Sequence, residues 1–103
     1  MFPTPALLSR NVRLTLFTRA NCSLCDTAKH NVNQLLKRKP LPYSEIDVMA
    51  TGNKMWKDVY EFDTPVLHVQ RTDQMDTTGP KKLFHRFSEQ EVEKLVGEVG
   101  DSA

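Results

Sequence analysis

The sequence predicts an α/β fold (α+β in some classification schemes), with a four-stranded mixed sheet and three helices in the order β-α-β-α-β-β-α. Three observations predict it: segments that alternate apolar and polar residues, segments with apolar residues at spacings of three and four, and the order in which the two kinds follow one another. A strand, a helix and a strand in succession require a parallel pair with a right-handed crossover. Two consecutive strands near the end add an antiparallel pair.

The first half of the chain contains the β-α-β unit. Residues 12–18 alternate and predict the first strand. A helix is expected over about 23–38, with Asn21 as its cap and basic residues before Pro40 at its end. Its apolar positions are Cys25, Ala28, Val32, Leu35 and Leu36. Residues 43–48 alternate again and predict the second strand.

A short helix and the third strand follow. The helix is expected from Thr51 or Asn53 to about Tyr60. Its apolar face, which we expect to pack inward, consists of Met55, Trp56, Val59 and Tyr60. After a turn, residues 66–69 predict the third strand.

The last part of the chain predicts a hairpin and a final helix. The polar residues 72–80 predict a long loop, and residues 81–87 alternate and predict the fourth strand. Ser88 and Glu91 fit a capping box at the start of the helix. Gly100 is expected to end that helix.

Length and charge set the broad class. A chain of 103 residues fits one domain, which we place at 11–100, between an irregular tail at 1–10 and a second tail at 101–103. The net charge of +1 argues against nucleic-acid binding, because such proteins concentrate basic residues on one face. No apolar run approaches the ~20 residues of a membrane span. We therefore expect no binding to membranes or nucleic acid. We also expect a monomer.

The cysteine count bears on the compartment. Two cysteines are too few for a secreted disulfide scaffold, so we expect no secretory signal and an intracellular, reducing location. Residues 1–21 contain three arginines and no acidic residue, a composition typical of mitochondrial transit peptides, although Pro3 and Pro5 interrupt any helix there. The expected location is therefore cytoplasmic or mitochondrial.

The two cysteines form a C-x-x-C pair between the first strand and the first helix. In this context the pair is typical of a redox centre that forms a disulfide bond. Cys22 falls at or just before the first helical turn, where free backbone N–H groups and the helix dipole stabilise a thiolate. Thiol pKa values at such positions fall from about 8.5 to roughly 3.5–7.5. We therefore expect Cys22 to be the nucleophile and Cys25, one turn later, to resolve the mixed disulfide.

Two other functions remain open from the residues alone. C-x-x-C is half of a zinc or iron–sulfur site, and His30, His68 and His85 would have to complete it. Their positions do not favour this, so no metal ligand is assigned. The other alternative is a binding module with weak catalysis or none.

Two motifs give the chain a family resemblance. They are Phe17-Thr18-Arg19-Ala20-Asn21-Cys22-Ser23-Leu24-Cys25, and Thr64-Pro65-Val66 at the start of the third strand. With them, residues 12–99 resemble the glutaredoxin-like family of the thioredoxin superfamily. The resemblance implies a thioredoxin-like fold and an oxidoreductase that serves electron transport and cell redox homeostasis. It also implies that no cofactor is bound, and that the partner is a disulfide-containing protein or glutathione, the latter as co-substrate.

The same resemblance implies a substrate-binding face. Pro65 is expected to follow a cis peptide bond and to lie close to Cys22. The Thr64 backbone would then be available to an extended peptide or to glutathione. Arg19 occupies the position, three before the first cysteine, at which glutaredoxins hold the glutathione carboxylate with a basic residue.

The chain also departs from the family pattern. Ser23-Leu24 stands where glutaredoxins usually have Pro-Tyr between the cysteines. The segment His85-Arg86-Phe87-Ser88 stands where they have a Gly-Gly pair that lets backbone approach glutathione. We therefore expect weak activity in a standard glutaredoxin assay.

Overall fold

The structure, a computed structural model, describes residues 12–72 and 80–101 of the chain. Within these residues the elements are β1 (Val12–Thr18), α1 (Ser23–Arg38), β2 (Tyr43–Asp47), α2 (Lys54–Tyr60), β3 (Val66–Arg71), β4 (Lys81–Phe84) and α3 (Glu89–Asp101). The predicted class and element order are confirmed. The expected tail at 1–10, residues 73–79 of the predicted loop and residues 102–103 lie outside the described residues.

The strands form one mixed sheet in the order β2-β1-β3-β4. β1 is parallel to β2, whereas β1 with β3 and β3 with β4 are antiparallel pairs. The predicted β-α-β crossover and the closing hairpin are therefore both present. β1 and β3 are the central strands, and their opposite directions place the end of β1 beside the start of β3.

The alternation along the central strands sends side chains to both faces of the sheet. One face packs against α1 and α3. Its buried cluster consists of Val12, Leu14, Leu16, Ala28, Val32, Leu35, Leu67, Val69, Phe87, Val92, Val96 and Val99. The other face packs against α2 in a smaller cluster of Phe17, Val48, Tyr60 and Val66, with Ile46 and Trp56 against it. None of the helices in the described part of the chain is long and apolar enough to span a membrane.

The ends of four elements differ from the prediction. β2 ends at Asp47 rather than at 48, and β3 continues to Arg71 rather than ending at 69. β4 ends at Phe84 rather than at 87, because His85 adopts a left-handed φ of 65° that takes the chain out of the sheet. α3 continues through Gly100 to Asp101, so Gly100 does not end it. The capping box is confirmed: the backbone N–H of Ser88 donates to Glu91 Oε1 at 2.9 Å, and that of Glu91 donates to Ser88 Oγ at 3.1 Å.

The apolar face of α2 was predicted only in part. Trp56 and Tyr60 pack towards Phe17 as expected. Met55 and Val59 are exposed instead. They form a neighbouring row on the helix, about 100° around its axis, and only one row reaches the sheet.

A buried histidine lies between α2 and the sheet. The Nε2 atom of His68 lies 2.7 Å from the hydroxyl oxygen of Tyr60. Burial and, secondarily, the charge of Lys82 lower the pKa of His68 to about 4. The fold therefore holds His68 in its neutral form.

This arrangement predicts a loss of stability in acid. The unfolded chain takes up a proton on His68 near its ordinary pKa of about 6.5, whereas the folded chain does so only near 4. The free energy of unfolding should therefore fall as the pH decreases from 6.5 to 4. We expect His68 to account for about 2 kcal/mol between pH 7 and pH 4.5.

The measurement is urea denaturation at the two pH values. His68→Leu should lose this part of the pH dependence, whereas His30→Gln, at an exposed position of α1, should keep it. The same pH dependence in wild type and in His68→Leu would contradict the prediction.

Candidate functional site

Three segments meet at one edge of the sheet. In the central strand pairing, Val66 at the start of β3 lies opposite Phe17 near the end of β1, and Phe84 at the end of β4 lies on its other side. Residues 19–22 follow β1, residues 61–65 lead into β3, and residues 85–88 follow β4. Strand register thus brings the C-x-x-C pair and the Thr64-Pro65 motif together.

The cysteines occupy the start of α1. The Sγ atoms of Cys22 and Cys25 lie at disulfide-bonding distance, and their Cα atoms are 5.2 Å apart, within the usual range of about 4.4–6.8 Å. Cys22 is the N-cap of the helix, and its sulfur accepts a hydrogen bond from the backbone N–H of Cys25 at 3.1 Å. The prediction that Asn21 caps the helix is wrong. Asn21 has a left-handed φ of 58°, whereas Cys22 has the extended backbone of an N-cap.

The two sulfurs differ in their access to solvent. Cys25 lies in the first turn of α1 and is 1% exposed. Cys22 is half-buried and lines an open cavity. A molecule that approaches this edge of the sheet therefore meets Cys22.

The cavity beside Cys22 is shallow, with a volume of about 390 Å³. Its lining residues are Arg19, Asn21, Cys22, Ser23, Leu24, Glu61, Phe62 and Thr64. The Thr64–Pro65 peptide bond is cis, as the resemblance implies. Pro65 itself is fully buried, and its carbonyl oxygen accepts the backbone N–H of His85 at 2.8 Å. Thr64 and Arg19 therefore share a surface with Cys22.

Arg19 also links the end of β1 to the turn after α2. Its Nη1 atom donates to the carbonyl oxygen of Glu61 at 2.8 Å. A guanidinium group carries five N–H donors, so this bond uses only part of its capacity. Arg19 thus holds the segment that contains Phe62, a cavity residue that the sequence analysis did not identify.

His85 lies in the segment between β4 and α3. Its positive φ is a conformation that glycine adopts freely and histidine only occasionally. Its Nε2 atom lies 3.7 Å from Asp63 Oδ1, an ion pair when the imidazole is protonated.

The histidines do not gather around the cysteines. His30 is exposed on α1, His68 is bonded to Tyr60 on the α2 face, and His85 lies beside Asp63. Among the described residues no group of three His, Cys, Asp or Glu side chains is close enough to hold a metal ion.

Known structures share this fold at low sequence identity. A structural genomics target protein from X. campestris is 21% identical with a TM-score of 0.59, and the match covers 82% of this chain and 96% of that chain. Chloroplastic thioredoxin z is 15% identical with a TM-score of 0.70, over 91% and 83% of the two chains. A mutant thioredoxin from Halobacterium salinarum is 16% identical with a TM-score of 0.69, over 96% and 83%. These matches confirm the thioredoxin-like fold.

A family model gives a more specific match. The model described as a glutaredoxin-like domain (DUF836) matches residues 13–97. The match begins in β1 and ends within α3, so it includes every segment that forms the cavity.

The left-handed backbone at His85 predicts how substitutions there behave. A β-branched residue tolerates this conformation poorly, at a cost of roughly 1–2 kcal/mol. His85→Val should therefore lower the free energy of unfolding by about 1 kcal/mol relative to Lys81→Val, which places the same side chain at an exposed position of β4. His85→Gly should not show this loss. Urea denaturation compares the three variants, and equal midpoints for the two valine variants would contradict the assignment.

Proposed function

We propose that this chain is a thiol–disulfide oxidoreductase that works through Cys22 and Cys25. The chain belongs to the glutaredoxin-like domain family. One observation carries the proposal. The accessible sulfur of Cys22 accepts an N–H from the first turn of α1, and the buried sulfur of Cys25 lies within bonding distance of it. The first feature favours a thiolate at Cys22, and the second allows that cysteine to be resolved within the same chain.

The exchange has two steps. In the reduced protein the Cys22 thiolate attacks one sulfur of a substrate disulfide, and the other substrate sulfur leaves as a thiolate. Cys25 then loses its proton and attacks the Cys22 sulfur, which releases the second substrate thiol and forms the Cys22–Cys25 disulfide. Two electrons pass from the cysteine pair to the substrate. Two external thiol groups return the pair to its reduced form by the reverse sequence and end as a disulfide themselves.

Two residues that line the cavity with Cys22, Thr64 and Arg19, are suited to bind the substrate. Thr64 precedes the buried Pro65 and lines the cavity, where an extended peptide or glutathione would lie. Arg19 has donors beyond the one bonded to Glu61 and could receive a carboxylate. We propose a disulfide-containing protein or glutathione as the partner, in a reducing compartment such as the cytoplasm or the mitochondrion.

A redox titration tests the dithiol mechanism. In glutathione buffers we expect the Cys22–Cys25 disulfide to form with a midpoint of roughly −180 to −270 mV, the range of related dithiol proteins. Alkylation followed by mass measurement counts the two forms. Cys22→Ser should form no internal disulfide. If wild type forms none at any glutathione ratio, the mechanism is wrong. A binding module would remain if a partner still bound Cys22→Ser.

The hydrogen bond to Cys22 predicts a more acidic thiol. In Cys25→Ser the backbone donor at residue 25 is retained. The rate of Cys22 alkylation by iodoacetamide should therefore rise with a midpoint pH below about 8.5, the value of an ordinary thiol. The same variant unfolded in urea is the control and should titrate near 8.5. Identical folded and unfolded midpoints would show that the start of α1 does not activate Cys22.

A further inference from the structure

The outer side of α2 and the turn after it carry exposed apolar side chains. Met55, Val59 and Phe62 follow one another at spacings of four and three residues, which places them along one side of the helix and the turn. They are 66%, 54% and 88% exposed, respectively. We call these three residues the apolar stripe. Single exposed apolar residues are common, but a row of them is unusual on a monomer.

The core does not account for the stripe. The neighbouring row of α2, Trp56 and Tyr60, already contacts Phe17 and the rest of the smaller cluster. The stripe therefore adds little to the packing of the fold.

The stripe is continuous with the cavity at Cys22. Phe62 lines that cavity together with Cys22 and Thr64. From Phe62 the stripe runs along α2 for about 10 Å, given a rise of about 1.5 Å per residue over seven residues. An extended chain covers that distance in about three residues. A peptide whose sulfur meets Cys22 can therefore reach Val59 and Met55 with nearby side chains.

Charges beside the stripe are balanced. Lys54 and Asp58 each precede a stripe residue, and they form an ion pair with a distance of 2.8 Å between Nζ and Oδ2. Because these two charges neutralise each other, the part of the stripe at Met55 and Val59 gives no strong attraction to a charged ligand, whereas Arg19 lies at the Phe62 end, beside Cys22. The surface therefore suits an apolar segment rather than a small polar disulfide, which has no apolar side chains to place there.

We propose that the apolar stripe docks a protein substrate whose disulfide is flanked by apolar side chains. This inference rests on the proposed thiol–disulfide exchange at Cys22 and names its substrate class. The flanking side chains lie on Phe62, Val59 and Met55, while the substrate sulfur faces Cys22. Burial of these side chains raises the local concentration of the substrate disulfide at the thiolate.

The test uses two synthetic peptides of equal length and charge. Each carries one cysteine as a mixed disulfide with thiopyridine. One peptide has leucines at the third and fourth positions from the cysteine, and the other has serines there. Attack by Cys22 on the cysteine sulfur releases thiopyridone, which absorbs light, and Cys25 then releases the peptide thiol. The readout is the ratio of the two initial rates with reduced protein, which cancels changes in cysteine reactivity.

We expect wild type to react about fivefold faster with the leucine peptide. Met55→Glu and Val59→Glu should each bring that ratio close to one, because a carboxylate opposes burial of the leucines. The matched control is Asn33→Glu, which adds the same charge at an exposed position of α1 and should keep the wild-type ratio.

The outcomes separate this inference from the proposed function. A wild-type ratio near one, or a ratio that Asn33→Glu lowers as much as the stripe variants do, overturns docking and leaves the exchange intact. Release of thiopyridone by Cys22→Ser at the wild-type rate overturns the exchange at Cys22, and docking with it. A dimer in gel filtration at the assay concentration, dissociated by Met55→Glu, assigns the stripe to a second copy and overturns docking.

Discussion

The antiparallel pairing of β1 with β3 is the constraint on which the site depends. It places the end of one central strand beside the start of the other, so residues 19–22 and 61–65 meet although some forty residues separate them. The hairpin to β4 adds residues 85–88 to the same edge. Buried alternating side chains hold this register, because a slip of one residue would exchange the side chains that face α1 and α3 with those that face α2. The geometry of the cysteine site is thus a consequence of core packing.

Within that frame the start of α1 gives the two cysteines different environments. The first turn of a helix has backbone N–H groups without partners inside the helix. Here one of them donates to the Cys22 sulfur, which acts as the N-cap in place of an oxygen. Cys25, three residues on, turns into the core and is covered. The start of α1 therefore gives Cys22 an accessible sulfur that accepts a hydrogen bond, and it buries the sulfur of Cys25 within bonding distance.

The sequence predicted most of the fold, and the errors have identifiable causes. Alternation and helical spacing located β1 and α1 with their observed ends, since core packing and local propensity agree there. At α2 the pattern held two adjacent apolar rows and could not tell which one faces the sheet. The end of β4 was misjudged because His85 departs from the strand through its backbone conformation, which side-chain polarity does not reveal. Asn21 suits a cap by residue type, but the turn before α1 places it one residue early.

Arg19 lines the cavity at Cys22 and also bonds to the segment that carries Phe62. The residue was identified from its position before the cysteines, as a contact for an anion. Its bond to the Glu61 carbonyl gives it a second task, because Glu61 directly precedes Phe62. Tying that carbonyl to the end of β1 fixes the turn after α2 against the strand that leads to Cys22. The exposed ring of Phe62 lines the same cavity as Cys22. If the stripe docks protein substrates as proposed, removal of the Arg19 side chain alters that docking even where no anion is bound.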